Sequence, residues 1–274
     1  MISTAEILLV DAHVHYHDCF DTARFFDGAQ RNFAVAATRL GRVADTRGCL
    51  AFTESAWDHH FRAFREHASR LAPPGWRFDH TAEEYSLIAN RNDGASIVIL
   101  AGRQLVTTDG LEVLAIGTAE EFADGLDTRE AIAAVQACGA LAVLPWGFGK
   151  WWFKRGQIAG EIIDSIEAEA FFLGDNGGRP GLSPQPSLFR RGRRRGIQVL
   201  PGSDPLPFTD QSAAVGSFGF VLAGRFNEQR PGDSIKDAIL EHAGEFERFG
   251  RGESLISFCR QQVAMQLDKR RRSS

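Results

Sequence analysis

The sequence predicts an α/β protein built on a parallel sheet covered by helices. Three observations carry this. Short apolar runs such as "EILLV", "GCLAF", "ALAVLP" and "IQVLP" read as strands buried on both faces. Segments with apolar residues at helical spacing alternate with them, as β/α units require. At 274 residues, with 43% hydrophobic and 24% charged content, the chain is long enough for one large α/β domain.

Taken in order, "EILLVDAHVH" is an apolar strand running into polar residues, and "DTARFFDGAQRNFAVAATRLGRVA" is a helix after an Asp-Thr start. "GCLAFTES" is a second strand, and "AWDHHFRAFREHASRLA" a helix stopped by Pro73 and Pro74. From residue 76 to 117 the pattern changes to short strand-like runs separated by the turn signals "RNDG" and "TDG", which predicts a β-hairpin insertion over 76–110. Alternation resumes with "TREAIAAVQACG", "ALAVLP", "GEIIDSIEA", "AFFLGDN", "LFRRGRRRG" and "IQVLPGSD". Two helices, "SIKDAILEHAGEFERF" and "ESLISFCRQQVAMQL", are expected over 233–268, followed by a solvated basic tail at 269–274. One domain spanning 1–274 is the simplest division.

A formal charge of -4 lacks the basic excess of a nucleic-acid binder, so a small molecule is the expected partner, with neither nucleic acid nor membrane. Cys19, Cys49, Cys138 and Cys259 form no C-x-x-C pair and sit beside apolar residues, which predicts reduced core thiols. "EILLV" is too short to span a bilayer and no signal-peptide pattern precedes it, so a cytoplasmic setting is expected.

The chemistry concentrates at strand ends. Residues two apart in a strand point to one side, so His13 and His15 can aim both imidazoles at one cation. His17 joins them only if the strand continues. Asp204, in "IQVLPGSD", ends another apolar strand and offers a carboxylate as ligand or as base. The loop "WGFGKWWFKR" presents aromatic faces and the cations Lys150 and Lys154, while "FRRGRRRG" reads as a solvated helix face.

In order along the chain, "DAHVHYH", "GCLAFTES", "LAGRQLVTTDGLEVLAIGT", "ALAVLPWG", "LGDNGGR" and "IQVLPGSD" resemble the motif series of the polymerase and histidinol phosphatase (PHP) family over residues 8–222. The resemblance implies a distorted, TIM-like barrel of the (β/α)7 type, two or three metal ions at the strand ends, and phosphoester hydrolysis. His13 and His15 fall on the family's H-x-H, and Asp204 on its Gly-Ser-Asp aspartate.

Other positions depart from the family. Thr53-Glu54-Ser55 stands for Thr-Asp-His, and Gly102-Arg103-Gln104 for Gly-x-Glu with its bridging glutamate. Glu112 replaces a histidine, Trp146-Gly147 replaces His-Pro, and Pro205-Leu206 follows Asp204 where Ala-His is usual. A multinuclear centre needs several anionic or imidazole ligands to offset cation repulsion, so the thinned set implies one divalent ion, Zn, Mn or Fe. His13, His15 and Asp204 would hold it, with Glu112 or Glu54 as further ligands and Asp204 or Glu112 taking the proton. Trp146, Lys150, Arg103 and Asn176 are the candidate substrate-binding residues for a small anion. Two alternatives stay open: a PHP-like chain without the metal chemistry that binds a ligand or partner, and an amidohydrolase-type metal-dependent hydrolase.

Overall fold

The computed structural model describes residues 6–42, 46–147, 149–179 and 184–250. The elements are β1 (Glu6–Val14), α1 (Thr22–Arg39), β2 (Thr46–Phe52), α2 (His60–Glu66), α3 (Ala68–Leu71), β3 (Trp76–His80), β4 (Ser86–Arg91), β5 (Ser96–Leu100), β6 (Gly102–Val106) and β7 (Glu112–Ile116). They continue with α4 (Thr128–Ala137), β8 (Leu141–Pro145), α5 (Phe153–Ser165), β9 (Phe171–Asn176), α6 (Ser187–Arg193), β10 (Val199–Gly202), β11 (Phe218–Gly224), α7 (Pro231–Glu241) and β12 (Arg248–Gly250).

The strands form two separate sheets, not the closed barrel that the motif resemblance implies. One has seven strands in the order β12-β11-β1-β2-β5-β4-β3, the other five in the order β10-β9-β8-β7-β6. The reason lies in the connections. Parallel neighbours need a crossover of a dozen or more residues, and only β1-β2, β8-β9 and β9-β10 have consecutive strands joined by a helix and paired in parallel. Tight turns make β4-β5 and β6-β7 antiparallel, with Gly94 (φ 93°) and Gly110 (φ 73°) supplying the left-handed residues. The stretch expected as an insertion is integral: β3, β4 and β5 complete the seven-stranded sheet, and β6 edges the five-stranded one.

The sheets face each other across a shared apolar core, to which β1 sends Leu8, Val10 and Ala12 and the other sheet sends Leu114, Val143, Phe172 and Leu200. Helices cover the two outer faces. Leu9 and Val14 of β1 meet the phenylalanines of α1 and α2, while α4, α5 and α6 pack over β7 to β10. Asp21 caps α1 by accepting from the Arg24 N–H at 2.8 Å, which accounts for the Asp-Thr start.

Side chains and isolated bonds join the sheets at two seams, and neither seam is a ladder. At one, Glu54 donates to the Gly102 carbonyl and accepts from the Gln104 N–H as a single bridge. At the other, the Asp204 N–H donates to the His13 carbonyl at 2.8 Å. A Cβ at Gly202 would stand 2.3 Å from the His13 nitrogen, so this close approach requires glycine.

The C-terminal reading also needs correction. The expected helix over "SIKDAILEHAGEFERF" ends at Glu241, Gly244 turns left-handed (φ 89°), and Arg248–Gly250 pair with β11 as β12. The second expected helix and the basic tail lie outside the described residues. Lys236 of α7 bonds the carbonyls of Gly117 and Gly139, so α7 closes the inter-sheet core at the N-terminal end of β8. Of the thiols, Cys49 is buried, but Cys19 and Cys138 are exposed and free, contrary to the expected core positions. Among the described residues no helix is long and apolar enough to cross a membrane.

Candidate metal site

The site lies at the opposite end of the core from α7, where β1 and β10 stop. A bulge creates it. Asp11 pairs with Leu50 but Val14 pairs with Phe52, so β1 holds one residue more than its partner over this stretch. The extra residue reverses the alternation: before it the even positions face the other sheet, and after it Val14 faces the helices. His13 and His15 are thereby turned together, both nearly buried.

The Nε2 atoms of His13 and His15 are 3.1 Å apart. Asp204 Oδ1 stands 3.5 Å from the first and 3.7 Å from the second. Three atoms so spaced lie about 2 Å from a common point, the length of a Zn–N or Zn–O bond. Asp204 reaches this position through a left-handed backbone (φ 48°), a conformation Asp tolerates better than most residues. Asn176, at the end of β9, donates to Asp204 Oδ2 at 2.9 Å and to the Trp146 carbonyl at 3.0 Å. Gln104 of β6 places Oε1 3.3 Å from His13 Nε2.

Charges follow the packing. Burial, with His13 close by, pushes the His15 imidazolium down to about 3, which keeps that ring neutral. Burial alone would raise the Asp204 carboxyl, but His13, His15, Lys150 and the Asn176 amide together hold it below its usual range. Asp11 is fully buried, and that burial raises its carboxyl to about 7 despite bonds from the N–H groups of Ser203, Gly216 and His13.

Of the residues singled out in the sequence, His13, His15 and Asp204 converge. Glu112 does not join them, because it is ion-paired with Lys150. Glu54 accepts from the Phe61 N–H at 2.7 Å and faces Arg103 at 3.6 Å. Burial raises its carboxyl to about 7. Arg103 is turned to the Asp58 carbonyl, His59 and Glu121. His17 bonds the Pro205 carbonyl at 3.0 Å, and His60 lies 3.5 Å from Asp18. In the aromatic loop, Trp151 is buried edge-on against Phe189, Trp146 is half-buried, and Trp152 and Phe153 are exposed. The arginine run is tied into the fold: Arg191 pairs with Asp164, Arg193 with Glu245, and Arg195 bonds the carbonyls of Ile163 and Ile166.

One part of the site escaped sequence reasoning. Asp11 had a usable signal, since a carboxylate inside an apolar strand must find donors. Gln104, 91 residues from His13, stands where the motif resemblance has its bridging glutamate, and its amide oxygen meets His13 across the seam.

No family model matches the chain, and no curated protein does. In structure it is similar to PsfC from Pseudomonas syringae PB-5123, known from a crystal structure, with a TM-score of 0.52 and 13% identity. The match covers 96% of this chain and 99% of that one. At that identity the likeness is one of fold.

Proposed function

We propose that the protein is a metal-dependent hydrolase acting on a small anionic substrate, with a phosphoester as the first candidate. The carrying observation is the triangle formed by His13 Nε2, His15 Nε2 and Asp204 Oδ1, whose spacing suits one divalent cation. Two imidazoles and a carboxylate are a donor set suited to Zn, Mn or Fe. The motif resemblance to the PHP family adds support at these three positions, although the barrel belonging to that resemblance is absent.

When bound, such a cation supplies Lewis acidity, acidifying water and polarising a substrate oxygen. The chain's own residues do the rest. Asn176 would fix Asp204 Oδ2, so that Oδ1 faces the imidazoles as the third ligand atom. Asp11 fixes the strand end that carries His13. Lys150, close enough to Asp204 to favour its ionised form, brings positive charge for an anionic substrate. The free, exposed thiols of Cys19 and Cys138 suit a reducing compartment, and the reading includes a cytoplasmic setting.

One observation favours a rival, a chain that binds a ligand or partner without the metal chemistry: the ion pair with Lys150 takes Glu112 out of the donor set and leaves three ligands. Elemental analysis of purified protein, before and after incubation with Zn or Mn, separates the two. The hydrolase reading requires stoichiometric metal that His13→Ala and His15→Ala each remove. It also requires turnover of generic phosphoesters that Asp204→Ala abolishes. Ligand binding without metal would replace it with the rival.

A further inference from the structure

The outer edge of β6 has a gap in its hydrogen bonding. Main-chain groups of a strand alternate between its two edges, and the Thr107 N–H donates to the Leu111 carbonyl, so Gly102, Gln104, Val106 and Thr108 point away from β7. Glu54 donates to the Gly102 carbonyl at 3.2 Å and accepts from the Gln104 N–H at 2.8 Å, while the Thr108 N–H donates to the Leu126 carbonyl at 3.0 Å. Between these anchors the Gln104 carbonyl and both main-chain groups of Val106 have no partner among the described residues. A longer β2 would have covered them, but the chain turns at Ser55, whose carbonyl accepts from the Asp58 N–H at 3.1 Å.

A groove of about 450 Å³ lies along this gap, with Gln104, Leu105 and Val106 in its wall. Its floor is apolar, since Leu105, Phe122 and Leu126 pack against the core on the helix side of the five-stranded sheet. Trp57 and Val106, 86% and 70% exposed, leave apolar surface in water at its mouth. The rim is acidic: Glu121 and Asp124 line it, exposed Glu120 adjoins them, and the one cation in the lining, Arg103, is held by Glu54 at 3.6 Å and Glu121 at 3.4 Å.

We propose that this groove docks a short extended segment of a partner protein, apolar in the middle and carrying lysine or arginine beside its apolar residues, which adds to β6 as a strand. One residue of such a segment makes two main-chain bonds in either direction. Running parallel to β6, it donates to the Gln104 carbonyl and accepts from the Val106 N–H; running antiparallel, it exchanges both bonds with Val106. The apolar side chains cover Leu105 and Phe122, and the cations meet Glu121 and Asp124. The gap covers three residues of β6, about 10 Å of strand. That length suits a short peptide, whereas the β6 edge of a second copy, recessed between the same walls, has no way in. The docking depends neither on a metal nor on the hydrolase reading.

The test titrates the full chain into a fluorescein-labelled peptide, Lys-Val-Leu-Val-Lys amide, and follows anisotropy. Two counterparts accompany it: one with glutamates for the lysines, and one with its three apolar residues N-methylated so that they cannot donate. The lysine peptide is expected to bind about tenfold more tightly than either. With the peptide bound, exchange of the Val106 amide hydrogen, seen by NMR, should slow. Val106→Pro removes the outward N–H without touching the β7 ladder, so it should weaken binding about tenfold while the melting temperature stays near that of the wild type. Asp124→Lys, at an exposed position, should narrow the gap between the lysine and glutamate peptides to about threefold or less, with the fold intact. No binding of the lysine peptide, equal binding of either counterpart, or an unchanged Val106 exchange rate would overturn the proposal. A dimer in solution that Val106→Pro abolishes would overturn it too, giving the edge to a second copy of the chain.

Discussion

The Asp11 carboxylate accepts a hydrogen bond from the Ser203 N–H at 2.7 Å, tying the end of β1 to the end of β10 across 192 residues of sequence. Its other oxygen accepts from the Gly216 N–H at 2.8 Å. One buried side chain therefore positions both strand ends that carry the candidate metal ligands His13, His15 and Asp204.

Replacing Asp11 by Ala would leave buried N–H groups without acceptors. Each such group costs about 1–3 kcal/mol, so a loss of roughly 3–5 kcal/mol is expected in urea unfolding. Asp11→Asn, which keeps one acceptor oxygen, should lose less. Equal stability of wild type and Asp11→Ala would remove Asp11 from this role.

Asn176→Ala should leave the fold intact and weaken metal binding, because Asp204 Oδ2 loses its donor. Partners of this kind are worth about 10–100-fold in affinity. Titration with Zn and a competing chelator measures it, and an unchanged affinity would show that Asp204 holds its orientation without help.

Stability should depend on pH through Glu54. Its carboxyl is raised from 4.5 to about 7 by burial, so the folded state holds the proton more tightly than the unfolded one. The stabilisation is complete below about pH 4.5 and is lost as pH rises through about 7, a change on the order of 3 kcal/mol. Glu54→Gln should be flatter than wild type between pH 5 and 8 in denaturant melts. A wild-type stability that rises over that window, with Glu54→Gln parallel to it, would refute the assignment.

Phe26 is fully buried, with ring centroids 5.1 Å from Phe25, 5.8 Å from Phe64, 5.6 Å from Trp76 and 5.1 Å from Phe78. Phe26→Ala should cost about 3–5 kcal/mol. Because the cluster lies on the helix side of the seven-stranded sheet, metal content per folded molecule should not change.

The residues that were legible in the sequence are those whose signal is local. The H-x-H at a strand end, Asp204 after an apolar run, and the Asp-Thr helix start each depend on neighbours within a few positions. The sheet arrangement was not legible, because buried strands look alike whether their neighbours run parallel or antiparallel. Turn signals at "RNDG" and "TDG" marked the hairpins correctly but could not tell an insertion from strands integral to two sheets. The bulge at His13 is likewise silent: it depends on β2 opposing β1 with one residue fewer. Glu112 read as a free ligand because its partner, Lys150, comes from a loop 38 residues away.

The seam between the sheets gives the site a mechanical side. His13 and His15 belong to one sheet and Asp204 follows the last strand of the other, so anything gripped by all three is a rivet through both. Occupancy and resistance to heat should therefore rise together, with a melting temperature that climbs with the logarithm of free ion concentration. A scan across a Zn or Mn series would show whether the two halves of the protein are fastened at the place where its chemistry is expected.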